Sequence, residues 1–78
     1  MQKPNPVAAR LVKELRLQRG WSVDLCAYFA GVSTRTLILL EKHGLPPKRL
    51  ESRERIARAL GVSERELFGE TSEGMGTP

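Results

Sequence analysis

The chain offers few side chains for covalent or metal chemistry. It holds one cysteine, Cys26, and one histidine, His43, in 78 residues. A lone cysteine closes no internal disulfide, and one Cys with one His cannot complete a four-ligand zinc site. No metal, cofactor or catalytic residue is expected. Cys26 falls on the inner face of a short apolar helix, so it reads as a small core side chain. His43 stands at the end of a helix, where a donor side chain suits the last carbonyls. A core this small leaves little room for a pocket, so neither an enzyme nor a small-molecule substrate is expected. Positive charge is what the sequence does supply. Thirteen Lys and Arg stand against nine Asp and Glu, a net charge of +4, and the pI is about 9.8. Such a surface attracts polyanions without identifying them, and an ordinary solvated surface has the same composition.

The charge is unevenly placed. Residues 1–20 sum to +4, residues 21–47 to zero, residues 48–66 to +2, and the remainder to −2. The elements that carry these charges read as helices. Asn5-Pro6 is a helix start, because Asn caps free amides and Pro suits the first helical position. Ala8, Leu11, Val12 and Leu15 then recur at helical spacing, with Arg10, Lys13 and Arg16 expected toward solvent. Gly20 stops this first helix, predicted over 6–19. Ser22 caps a second helix that carries Val23 to Ala30 and ends at Gly31. Trp21 and Phe29 are expected in the core. Ser33 caps a third helix over 34–42, which Gly44 stops before the extended Leu45-Pro46-Pro47. A fourth helix begins between Leu50 and Ser52 and reaches Leu60, with Leu50, Ile56, Ala57 and Leu60 as its apolar set. Ser63 and Glu66 form a capping box that opens a fifth, which returns Leu67 and Phe68 to the core. No window alternates as a strand does. The segment GETSEGMGTP is small, polar and glycine-rich, and reads as a frayed tail.

Residues 23–42 are the informative part. Two short helices flank Gly31-Val32-Ser33. Ala27, four residues before Gly31, is small enough for the helices to cross closely. Gly31 supplies the positive φ of a tight turn. Leu37 and Leu40 face back into the core. This is the helix-turn-helix pattern, with residues 33–42 as the recognition helix.

The runs LRLQRGWSVDLCAYFAGVSTRTLILLEKHG and ESRERIARALGVSERELFG resemble the phage-repressor/Cro-like (XRE) helix-turn-helix family over residues 8–69. That resemblance implies an all-α, five-helix bundle that binds DNA operators, usually as a dimer. Locally, AGVSTRTLILLEKHGLPPKR is also similar to the MerR-type motif. Twenty residues precede it here, and no wing with Gly-Tyr-Arg follows Arg49, so the first framework fits better. Two departures stand out. The family usually has Gln where this chain has Val23, and polar or basic residues where it has Ile38 and Leu39.

The candidate DNA-binding residues are Ser33, Thr34, Arg35, Thr36, Ile38, Leu39, Lys42, Lys48 and Arg49. Arg35 suits bidentate pairing with guanine O6 and N7, and equally suits a surface arginine paired with an acid. Ser33 and Thr34 can donate to phosphate or simply cap the helix. Leu37 to Leu40 is apolar through a full turn, and a helix in so small a bundle buries one stripe. Ile38 and Leu39 therefore meet thymine methyls, cover a dimer or protein partner, or are unusually deeply buried. Lys42, Lys48 and Arg49 suit phosphate contact.

The chain is thus expected to be a cytoplasmic transcriptional regulator that binds double-stranded DNA in sequence-specific fashion. The expected organisation is an arm over 1–5, a helix-turn-helix domain over 6–69 and a disordered tail over 70–78. No membrane segment or signal peptide is expected. The other reading is a protein-interaction module on the same scaffold, with the apolar face of the third helix against a second copy or the transcription machinery.

Overall fold

A computed structural model of the chain describes residues 4–69. The tail expected over 70–78 and most of the arm expected over 1–5 lie outside the described residues. Five helices follow one another: α1 (Pro6–Gln18), α2 (Val23–Ala30), α3 (Thr34–His43), α4 (Leu50–Ala59) and α5 (Glu64–Phe68). Among the described residues there is no strand. The local signals set the boundaries. Asn5 accepts a bond from the Ala8 amide, and Ser22, Ser33 and Ser63 each accept from the amide three residues on. Ser63 and Glu66 complete the capping box in both directions. Each such cap satisfies an amide that the helix itself leaves unpaired.

α3 packs against α1 and α2, α4 against α2 and α5, and α5 closes back on α1. The core is small side chains on the near faces with a few large ones between them: Val12, Leu37, Leu40, Ile56, Leu60, Leu67 and Phe68. Leu11, Leu15, Trp21, Val23 and Val32 lean on it, half-buried. Cys26 is fully buried, as its position implied. Burial disfavours the thiolate and pushes its thiol up from the ordinary range, which makes it a poor nucleophile.

Expectations fail at Arg16, Phe29 and Leu50, each for a tertiary reason. Arg16 does not face solvent: it is 8% exposed. It sits four and eight residues after Val12 and Ala8, on the buried stripe of α1, and an acid from α3 meets it there. Phe29 is 53% exposed rather than in the core. The buried stripe of α2 is Cys26, Ala27 and Ala30, and position 29 falls on its flank. There Phe29 stacks at 4.8 Å on Trp21, which is itself only half-buried. Leu50 is 52% exposed. The next position of its stripe toward the core is Arg53, whose guanidinium bonds loop carbonyls, so the apolar surface ends before it reaches Leu50.

Candidate nucleic-acid interface

The turn between α2 and α3 is built from backbone geometry that few residues accept. Gly31 lies at φ 75°, and its amide and that of Val32 both return to the Ala27 carbonyl. Ala27, 2% exposed, lets the two helices approach. Across the turn, the Thr34 hydroxyl donates to Asp24 Oδ1 at 3.0 Å and ties the start of α3 to the first turn of α2.

The other end of α3 is held by charge. Arg16 Nε donates to Glu41 Oε2 at 2.8 Å and Nη2 to Oε1 at 2.9 Å, a bidentate pair. Arg16 Nη1 donates to the Trp21 carbonyl at 2.8 Å. Both side chains are under a tenth exposed. The hydrogen bonds to Glu41 hold the guanidinium charged, raising its pKa against the cost of burial. One arginine thus joins α1, the α1–α2 turn and α3. Gly44 follows α3 at φ 67°, and its carbonyl accepts from the Asn5 amide at 2.6 Å. A side chain at Gly44 would meet that same Asn5 backbone at 3.3 Å. α3 is therefore fixed at both ends and along one face, by Leu37 and Leu40.

With α3 fixed, its outward side chains are defined. Arg35 is exposed and has no partner among the described residues. Ile38 is 37% exposed, and Leu39 is half-buried. Lys42 is exposed and unpaired, seven residues after Arg35 on the same stripe. The hydroxyl groups of the first turn already have protein partners. Ser33 Oγ accepts from the Thr36 amide and lies 2.8 Å from Thr36 Oγ1, while Thr34 is engaged with Asp24. Of the nine candidate residues, the structure brings Arg35, Ile38 and Lys42 to one exposed stripe, with Leu39 at its edge. It uses Ser33, Thr34 and Thr36 to position that stripe.

Lys48 and Arg49 lie off the helix, in the loop before α4, and both are exposed. Arg53 organises this loop: its Nη1 donates to the Pro47 and Lys48 carbonyls, each at 2.9 Å, while its Nε meets Glu64 at 3.0 Å. Arg53 therefore holds the loop that carries these two cations, its own guanidinium being taken up by Glu64 and the loop carbonyls. Sequence reasoning missed Arg16 and Arg53. The signal for Arg16 was its spacing on the Ala8–Val12 stripe; Arg53 left none, because its partners are carbonyls. Among the described residues no three His, Cys, Asp or Glu side chains converge as metal ligands, and no helix is long and apolar enough to cross a membrane.

No protein-family model matches the sequence, and no curated protein does. Solved structures do match. The chain is similar to the N-terminal DNA-binding domain of SinR from Bacillus subtilis, with a TM-score of 0.75 and 25% identity, covering 88% of this chain and 100% of that one. It is similar to the restriction-modification controller protein C.AhdI from Aeromonas hydrophila, with a TM-score of 0.69 and 27% identity over 81% and 94% of the two chains. An HTH_3 family transcriptional regulator from Vibrio cholerae gives 0.68 and 31% identity, over 83% of this chain and 36% of that one.

Proposed function

We propose that this chain, whose structure matches the phage-repressor-like (XRE) helix-turn-helix type, is a small regulator that binds double-stranded DNA by inserting α3 into the major groove. The observation that carries the reading is the exposed stripe of Arg35, Ile38 and Lys42 on a helix held at both ends. A rigid helix of this length fits the major groove, and its unpaired side chains are free to meet base edges.

The roles divide by chemistry. Arg35 is the base reader, a fork of donors suited to guanine O6 and N7. Ile38, and the accessible edge of Leu39, suit a thymine methyl. Lys42, Lys48 and Arg49 suit phosphates, which fix register and carry no sequence information. Ser33, Thr34 and Thr36 act through their caps, by presenting the start of α3 and its free amides. A dimer would read half-sites about 34 Å apart. Selection from a random duplex pool tests the reading. The native chain is expected to enrich a motif, and Arg35→Ala to lose a G·C preference at one position of it. Failure of the native chain to enrich any motif would refute sequence-specific binding.

A second reading has one observation in its favour. α2 leaves Leu25, Tyr28 and Phe29 exposed on its outer side, Tyr28 at 77%. An apolar surface of this kind suits a protein contact, by a second copy or by another partner. Light scattering on the native chain and on Tyr28→Lys/Phe29→Lys distinguishes the two: a fall in mass confined to the variant assigns the patch to self-association.

A further inference from the structure

Lys42 and His43 end α3 beside the first half of α1. Between the two helices lies a cleft of about 460 Å³, whose rim includes Pro6, Ala9, Arg10, Lys13, Lys42 and His43. Arg10 and Lys13 stand three apart on α1 and so project from one side. Both are exposed, as are Lys42 and His43, and none of the four has an ion-pair or hydrogen-bond partner among the described residues. The one acid on the rim, Glu41, has both carboxylate oxygens taken by Arg16. The cleft is therefore a cationic surface built by two helices, with its only carboxylate already neutralised.

Its position matters as much as its charge. Arg35, Ile38 and Lys42 form one stripe along α3, about 10 Å from first to last at 1.5 Å per residue. Lys42 ends that stripe and also lines the cleft. The exposed face of the recognition helix thus continues into the cleft without a break. That length equals the axial rise of about three nucleotides of one strand. We infer that the cleft is a second phosphate-holding surface, on which Arg10, Lys13, Lys42 and His43 grip the backbone of the same duplex whose groove admits α3. The inference rests on the DNA reading above and adds α1 to the interface. A duplex suits the cleft because its backbone supplies anions to the cations of both helices, and because Lys42 belongs both to the cleft and to the α3 stripe.

Phosphate contacts weaken with salt in proportion to their number, with a slope of about −0.9 per contact, whereas base contacts set preference. Arg10→Gln/Lys13→Gln is therefore expected to flatten the dependence of log K on log salt by about 2, and to leave the selected motif unchanged. Arg10→Lys, which keeps the charge, should retain the native slope. The control is Arg58→Gln/Arg65→Gln, the same change in charge on α4 and α5, at two exposed cations without partners among the described residues. It should leave the slope within about 0.5 of native. Native binding with an unchanged slope in the cleft variant overturns the inference, and leaves an acidic protein segment as the anion that fits the cleft. An equal loss in the control overturns it too, because net charge then explains the effect. No binding by the native chain at low salt overturns both this inference and the DNA reading.

Discussion

α2 and α3 are built alike and face outward differently. Each begins at a serine whose hydroxyl accepts from the amide three residues on. Each ends at a glycine in the left-handed region, Gly31 and Gly44. Each buries a narrow stripe: Cys26, Ala27 and Ala30 in one, Leu37 and Leu40 in the other. On the outside, α2 shows Asp24, Leu25, Tyr28 and Phe29, while α3 shows Arg35, Ile38 and Lys42. What makes a helix here is common to both; what a helix does lies in its outward side chains, of which Asp24 also serves the frame by holding Thr34. The frame is also unequal in one respect, since of the two, among the described residues, α3 alone is pinned by a buried ion pair, to α1.

Removing that pin tests the inequality most strongly. Arg16→Met leaves Glu41 buried and uncompensated, and should destabilise the fold by about 3–5 kcal/mol in denaturant titration. The double variant Arg16→Met/Glu41→Leu removes both charges and should recover much of the loss. If Arg16→Met alone costs under about 1 kcal/mol, the level of a surface pair, the ion pair does not fix α3.

The next effect is on the α3 face itself. Arg35→Ala should cost about 1–3 kcal/mol of discrimination at one base pair while leaving the melting curve within experimental scatter. Its counterpart on α2, Tyr28→Ala, should change neither DNA preference nor, beyond about 0.5 kcal/mol, stability. A loss of preference in the α2 variant would erase the distinction between the faces. Smaller still is the effect at the caps. Ser22→Ala and Ser33→Ala should each cost about 1 kcal/mol. Ser33→Ala is expected to cost more, because Ser33 also pairs with the Thr36 hydroxyl. Equal costs would show that the second bond contributes nothing.

The shared part of the comparison was legible in the sequence and the unshared part largely was not. Ser22, Ser33, Ser63, Gly31 and Gly44 act on their own backbone within a few residues, so their types and spacing disclose the five helices. The inward leucines of α3 follow from the same local periodicity. Arg16 defeats that logic: its partner lies 25 residues away, and an arginine on a buried stripe is acceptable only if that partner exists. Hydrophobicity alone puts Phe29 in the core; the stripe that Cys26, Ala27 and Ala30 define leaves it on the flank. The site was legible in part. Arg35, Ile38 and Lys42 come out on one stripe by helical spacing alone. That Thr34 reaches Asp24, and that Arg10 and Lys13 lie beside Lys42, follows only from how α1, α2 and α3 pack.

In the proposed complex the outward face of α3, and not that of α2, meets the duplex. Titrating the isotopically labelled chain with the duplex it selects, and following each residue by NMR, separates the two faces. On binding, the side-chain signals of Arg35 and Ile38 and the amide of Lys42 should shift, while those of Leu25, Tyr28 and Phe29 stay in place. Shifts concentrated on Leu25, Tyr28 and Phe29, with Arg35 unmoved, would contradict it.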